Sequence, residues 1–231
     1  APFLAITLAL IPIAVIPFGP VIEVAGTVTA MQITDISIGV LFILAISSLM
    51  VYGIVLGGWA SNSKYPLLGG LRASAQLVSY ELPLGMAVAA VLLLSNTLSL
   101  REIVDTQANY YWGFFPAWNI FRAPFPQVFS FIIFVVAVFA ETNRIPFDLP
   151  EAETELVAGF HTEYSSMKFA GFFLAEYANM ITVSAMATTL FLGGWLPLWP
   201  AEYGSSWVPP AVFMALAAMR AEVGMVFQSF N

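Results

Sequence analysis

Cysteine is absent from the 231 residues, and histidine occurs once, as His161. Without a thiolate the chain alone has no ligands for an iron–sulfur cluster or a thiolate zinc site, and it cannot form a disulfide. A single imidazole also excludes a bis-histidine haem within the chain. The sequence has neither a Walker A loop nor a glycine-rich dinucleotide fingerprint between a strand and a helix. We therefore expect no metal and no redox cofactor bound by this chain alone.

Charged residues are also scarce, at 9% of the chain, whereas the residues A, V, I, L, M, F, W, Y and C make up 60%. Soluble proteins carry about 25% charged residues, so the composition excludes an ordinary soluble globule. It also excludes a disordered chain, which combines low hydrophobicity with high charge. The seven Lys and Arg residues form no basic stripe for a nucleic acid. The composition indicates a polytopic membrane protein.

Long apolar runs predict the architecture. A helix crosses a bilayer with about 20 residues, because each residue rises about 1.5 Å. The runs lack the period-two alternation of barrel strands. We predict an all-α, polytopic transmembrane helix bundle with five complete spans, a partial sixth and a structured acidic cytoplasmic loop, all in one membrane domain, residues 1–231. The predicted spans are Phe3–Gly19, Ile36–Ala60, Leu71–Leu94, Trp118–Ala140 and Phe169–Trp195, followed by the partial Pro209–Met219.

Basic residues alternate between the successive predicted loops. Lys64, Arg144 and Lys168 lie in the second and fourth loops, and Arg72 stands just inside the helix after the second. The first and fifth loops contain no Lys or Arg, and the third contains Arg101. By the positive-inside rule, the second and fourth loops are cytoplasmic.

Acidic residues concentrate in the fourth predicted loop, residues 141–168, which we call the acidic segment. Six of the fourteen acids lie there: Glu141, Asp148, Glu151, Glu153, Glu155 and Glu163. Apolar residues alternate with them, which favours partial burial. Partly buried like charges raise one another's pKa, and this suits proton relay. The alternative is a solvated loop with an ordinary helix start, in which Asp148 is the cap and Glu151–Glu155 face the positive end of the helix dipole.

Two more acids lie inside predicted spans, Glu81 in the third and Glu176 in the fifth. A charge at the bilayer centre costs about 2.5–3.5 kcal/mol on insertion scales, so such a group normally faces a cavity or a partner. Arg72 precedes Glu81 by nine residues, which puts it on the opposite helix face, about 13 Å away along the axis. We expect both acids to continue a chain of proton sites into the membrane. The alternative for each is a structural interhelical hydrogen bond.

Three other polar residues have two interpretations each. Arg72 either contacts the site or extends to the lipid headgroups. His161 is either a satisfied structural histidine or a proton donor to a ligand. Tyr164 either hydrogen-bonds a carbonyl headgroup or anchors the chain at the membrane interface.

Two blocks of sequence carry a family resemblance. Residues Ala140–Tyr177 read AETNRIPFDLPEAETELVAGFHTEYSSMKFAGFFLAEY, and Trp59–Gly85 read WASNSKYPLLGGLRASAQLVSYELPLG. Both resemble signatures of the H subunit, also called subunit 1, of respiratory complex I, the NADH-quinone oxidoreductase. The motifs IPFGP at Ile16–Pro20 and FLGGW at Phe191–Trp195 also fit this family.

The resemblance implies a membrane subunit between the peripheral redox arm and the proton-pumping arm. Members of this family help to form the quinone-binding chamber and couple quinone reduction to proton translocation through buried carboxylates. The matching positions in the quinone-chamber loop are Glu141, Arg144, Asp148, Glu151, Glu153, Glu155, His161 and Glu163, and the intramembrane acids are Glu81 and Glu176.

The same resemblance implies the partners. Quinone is the substrate, NADH, FMN and iron–sulfur clusters belong to partner subunits, and antiporter-like membrane subunits and lipid are further partners. This chain alone is expected to perform no redox catalysis. A bacterial inner membrane is favoured, with an organellar inner membrane as the alternative. The family's first helix, the basic loop after it and the last helices have no match, so we expect a chain that is partial at both ends.

Other functions are compatible with parts of the pattern. The homologous membrane subunit of an energy-converting hydrogenase or formate hydrogenlyase shares helices and acids without reducing a quinone. A stand-alone proton- or cation-coupled transporter predicts an inverted repeat with broken helices, which we do not find in the sequence. A purely structural anchor is the third alternative.

Overall fold

Helices dominate the computed structural model, which describes residues 1–24, 27–112, 115–122, 124, 126–143, 147 and 163–196. A 3₁₀-helix at Ile11–Val15 extends the first helix. The α-helices of the described residues are α1 (Pro2–Leu10), α2 (Gly39–Ala60), α3 (Lys64–Ser95), α4 (Leu100–Asp105), α5 (Val128–Glu141) and α6 (Ser166–Phe191).

Three of these helices are long and apolar enough to cross a membrane: α2, α3 and α6, with 22, 32 and 26 residues. Their presence supports the prediction of a helical membrane protein. The apolar stretch Pro2–Val15 and helix α5 are shorter, so the two complete spans predicted there stay predictions. The partial span Pro209–Met219 lies outside the described residues.

The boundaries of four predicted spans differ clearly from the structure. The first helical stretch ends at Val15 rather than Gly19, and helix α3 begins at Lys64 rather than Leu71. Helix α5 begins at Val128 rather than at Trp118, because Pro124 and Pro126 lack a backbone N–H and disfavour helical backbone just before themselves. Helix α6 ends at Phe191 rather than Trp195. The reason is a glycine pair, Gly193 and Gly194, whose φ angles of +73° and +57° are left-handed.

Two antiparallel ribbons occupy predicted loops. Strand β1 (Val21–Val24) pairs with β2 (Thr27–Ala30) in the first loop, with Val21 opposite Ala30. Strand β3 (Tyr110–Tyr111) pairs with β4 (Phe115–Pro116) in the third. Burial raises the pKa of the Tyr110 hydroxyl in this second ribbon. Both ribbons lie between helices, so they leave the helical class unchanged.

Helix α3 is central to the packing, since it contacts both α2 and α5, while α1 packs against α2 and α6. Glycines allow the closest approach, where α2 ends and α3 begins. A Cβ on Gly58 would lie 2.5 Å from the Pro66 carbonyl oxygen, and one on Gly70 would lie 3.3 Å from the Ile54 carbonyl oxygen. Small residues let helix backbones meet in this way in membranes.

Buried apolar side chains form two clusters. The larger cluster joins α2 to α6 around Phe134 and Phe191, whose rings lie 5.4 Å apart. The smaller cluster includes Ala5 of α1, Ile54 of α2 and Phe172 of α6. This second cluster borders the candidate site.

Candidate proton-relay site

Glu141 is the last residue of α5, and the local sequence explains why the helix ends there. The Thr142 hydroxyl donates to the Val138 carbonyl at 2.9 Å, which caps the final turn. Asn143 then adopts a left-handed φ of +47°, a conformation that asparagine tolerates better than most residues. Glu141 is half-buried, and its Oε2 atom is fully buried.

Glu176 lies in the first half of α6, where small residues bring that helix close to its neighbours. Gly171, one turn earlier, faces α1: a Cβ there would lie 3.2 Å from side-chain atoms of Pro2 and Ile6. Ala175 is 1% exposed. Glu176 is therefore half-buried among the packed helices although it is ionisable.

The structure brings Glu141 and Glu176 to one cavity of about 40 Å³. A buried water needs about 10–15 Å³ of such volume, so the cavity accommodates about two or three waters. Polar side chains of Thr142, Asn143 and Asn179 share the lining, and the apolar lining residues are Ala5, Met50, Ile54, Leu77, Phe172, Phe173 and Ala175. Two glutamates thus line a space that has room for water.

Glu81 lies apart from this cavity. Its carboxyl group lies close to the Ser48 side chain of α2, whose hydroxyl donates to the Ala45 carbonyl of its own helix at 2.9 Å. This proximity of polar groups on α2 and α3 is compatible with both interpretations of Glu81. The relay role of Glu81 therefore stays a prediction.

Tyr164 and Glu163 lie just before α6. The Tyr164 hydroxyl donates to the Gly57 carbonyl of α2 at 3.0 Å, and its ring meets Phe172 edge-on at 5.1 Å. Both residues line an open groove between the start of α1 and the end of α2. The Tyr164 hydroxyl therefore bonds within the bundle, and its hydrogen bond to a carbonyl headgroup stays a prediction. Arg72 is exposed on α3, and both interpretations of this residue stay predictions.

Sequence reasoning missed two amides. The Gln76 Nε2 atom on α3 donates to the Ala140 and Phe147 carbonyls, each at 2.8 Å, at the start of the acidic segment. Asn179 of α6 is 6% exposed and lines the cavity with Glu176. The only sequence signal for either residue was a neutral amide in an apolar helix, which is weaker than the signal from a charged group.

The predicted site residues that lie outside the described residues are Arg144, Asp148, Glu151, Glu153, Glu155 and His161.

Among the described residues, the structure has three helices long enough to cross a membrane, and the half-buried Glu141 and Glu176 line a small cavity between its helices. These features define the class of polytopic membrane proteins with an acidic site among the helices. A sequence profile described as NADH dehydrogenase matches residues 1–228. The chain belongs to this NADH dehydrogenase family, as the resemblance in the two signature blocks predicted.

Three curated relatives of the chain are H subunits of NADH-quinone oxidoreductase. An H subunit of NADH-quinone oxidoreductase from Solibacter usitatus is 71% identical over 213 residues, which are 92% of this chain and 53% of that protein. The corresponding protein of Koribacter versatilis is 57% identical over 205 residues, with 84% and 56% covered. That of Geobacter sulfurreducens is 56% identical over 216 residues, with 86% and 59% covered. The chain spans somewhat more than half the length of these relatives.

Proposed function

We propose that the chain is the membrane subunit of a proton-pumping NADH-quinone oxidoreductase. In this role it helps to form the quinone-binding chamber and couples quinone reduction to proton translocation. Family membership supports the proposal, as do the names of the relatives. The observation that carries the coupling is the cavity of about 40 Å³ shared by Glu141 and Glu176.

The chemistry requires protons at this site and electrons from elsewhere. Reduction of a quinone to a quinol consumes two electrons and two protons. In this proposal the electrons come from an iron–sulfur cluster of a partner subunit, as the family resemblance implies. A carboxyl that releases its proton becomes an anion, and this charge favours protonation of a neighbouring acid. The interaction is stronger between buried groups than in water.

In this proposal Glu141 and Glu176 pass on such a change. Glu141 is the first residue of the acidic segment, on the proposed quinone side. Glu176 lies within the membrane-length helix α6. Waters in the shared cavity transfer the proton between them without contact between the carboxyls. The remaining acids of the segment border the quinone chamber in this proposal, and Glu81 continues the path. The host membrane is a bacterial inner membrane.

The test replaces each cavity acid in the intact complex. Glu141→Gln and Glu176→Gln keep the shape of the side chain but carry no exchangeable carboxyl proton. We expect each change to lower proton-coupled quinone reduction at least about tenfold per assembled complex. Glu102→Gln is the matched control, since Glu102 lies at the start of α4, where it bonds Thr97. Wild-type turnover and pumping in both cavity variants would contradict the proposal.

A further inference from the structure

Gln76 makes an unusual set of contacts for a side chain within a long apolar helix. Its Nε2 atom donates to the Ala140 carbonyl at 2.8 Å and to the Phe147 carbonyl at 2.8 Å. The Asn143 side-chain oxygen lies 3.3 Å from the same nitrogen. A primary amide carries two N–H bonds, and the two shorter contacts account for both.

The contact with Ala140 supplies a hydrogen-bond donor to a backbone carbonyl at the end of α5. The last carbonyls of a helix lack donors from the following turn. In α5 the Ala140 carbonyl receives a 3.3 Å contact from the Asn143 backbone N–H and the shorter one from Gln76. The next turn of α3 adds Tyr80, whose ring meets Phe147 edge-on at 5.3 Å. One face of α3 thus contacts both ends of the stretch 140–147.

These peptide groups adjoin two acids of the acidic segment. The Ala140 carbonyl carbon is bonded to the backbone nitrogen of Glu141, and Phe147 directly precedes Asp148 in the sequence. Gln76 therefore fixes the peptide group that carries Glu141 into the cavity, and it fixes the carbonyl just before the next acid.

We propose that Gln76 is a positioning residue for proton-coupled quinone reduction. It holds the start of the acidic segment against α3 and thereby keeps Glu141 in the wall of the shared cavity. This inference rests on the proposed function, because it assigns Gln76 an effect on a proton step. The quinone itself makes no contact with Gln76 in this proposal, so its binding is independent of the amide.

The test compares Gln76→Glu and Gln76→Met with Ser74→Ala in the intact complex. Glutamate keeps the shape of glutamine but replaces the donating NH₂ group, and methionine removes both polar atoms. Ser74 is a matched control, since its hydroxyl bonds the Leu71 carbonyl of the same helix. We expect kcat per assembled complex to fall about five- to tenfold and the KM for quinone to stay within about twofold. Amide hydrogen exchange across residues 140–147 is expected to accelerate about tenfold.

Three results would overturn this inference. A wild-type kcat per complex in both Gln76 variants would show that turnover does not depend on Gln76. Loss of assembled complex in both variants would assign Gln76 a purely structural role, and the third result is unchanged hydrogen exchange. Glu141→Gln, measured in parallel, separates the two proposals. If Glu141→Gln lowers kcat per complex while both Gln76 variants keep the wild-type kcat, only the positioning role is refuted. If Glu141→Gln keeps the wild-type kcat, the proposed function is refuted. If amide hydrogen exchange across residues 140–147 is unchanged in the Gln76 variants, the positioning role is refuted whatever their turnover.

Discussion

At the residue scale, Asn179 is a buried neutral side chain in the wall of the cavity that Glu141 and Glu176 line. It lies three residues after Glu176, on the same face of α6, and it is buried at 6% exposure. Its amide both donates and accepts hydrogen bonds, so it suits waters that connect two carboxyls. Among the polar lining residues, Asn179 lies on the same helix as Glu176, and water needs polar partners to remain in such a space.

Asn179→Leu is therefore expected to dry the cavity. Loss of the connecting water should lower proton-coupled quinone reduction about tenfold per assembled complex, while the amount of complex stays close to that of the wild type. Ile181→Leu is the control, because Ile181 is 45% exposed on the same helix. The measurement is turnover and pumping in vesicles. Full activity in Asn179→Leu would show that this amide is dispensable.

The two kinds of polar residue differ in how far sequence predicts them. Glu81 and Glu176 stand out because a charge in an apolar helix is costly and needs a reason. Gln76 and Asn179 do not, because a neutral amide costs less to bury. The Gln76 partners also lie 64 and 71 residues away in the chain. No local pattern contains that information.

At the scale of helices, the turn between α2 and α3 depends on glycine. Gly58→Ala would bring a Cβ within 2.5 Å of the Pro66 carbonyl oxygen, so backbone must move. We expect this change to lower the free energy of unfolding by about 1–3 kcal/mol. Gly85→Ala on α3 is the control, since its Cβ would meet nothing within 4 Å. Thermal unfolding in detergent measures both, and equal Tm values would contradict the predicted close contact.

Helix identity is easier to predict than helix boundaries. Helices α2 and α3 follow from apolar runs longer than a bilayer requires. The predicted start of α5 is too early because residues 118–127 look apolar, although Trp118 and Ala117 are buried in loop packing rather than in a span. Hydropathy alone does not distinguish these two reasons for burial. The ribbons β1–β2 and β3–β4 escape prediction because four- and two-residue strands carry little pattern.

At the scale of the whole molecule, a buried amide joins the loop between α3 and α5 to the end of α6. The Gln107 side chain is 1% exposed. Its Nε2 atom donates to the Thr189 carbonyl at 2.9 Å. Its Oε1 atom accepts from the backbone N–H groups of Asn119 and Gly193, at 3.0 and 3.2 Å. The Asn119 side chain adds a bond to the Leu190 carbonyl at 2.8 Å.

Gln107→Leu is expected to destabilise the protein by at least about 2 kcal/mol, because buried backbone groups in two distant segments lose their partners. Thr106→Val is the control, since it removes a hydroxyl that bonds the nearby Ile103 carbonyl. Unfolding by heat or denaturant in detergent measures the difference. Equal stability of the two variants would show that Gln107 does not join these segments.

The central claim is that Glu141 and Glu176 exchange protons through their shared cavity when quinone is reduced. Infrared difference spectroscopy of the intact complex measures carboxyl protonation directly, with and without quinone reduction. We predict a carboxyl signal upon reduction that is diminished in Glu141→Gln and in Glu176→Gln but unchanged in Glu102→Gln. A signal of the same size in all four proteins would contradict the claim.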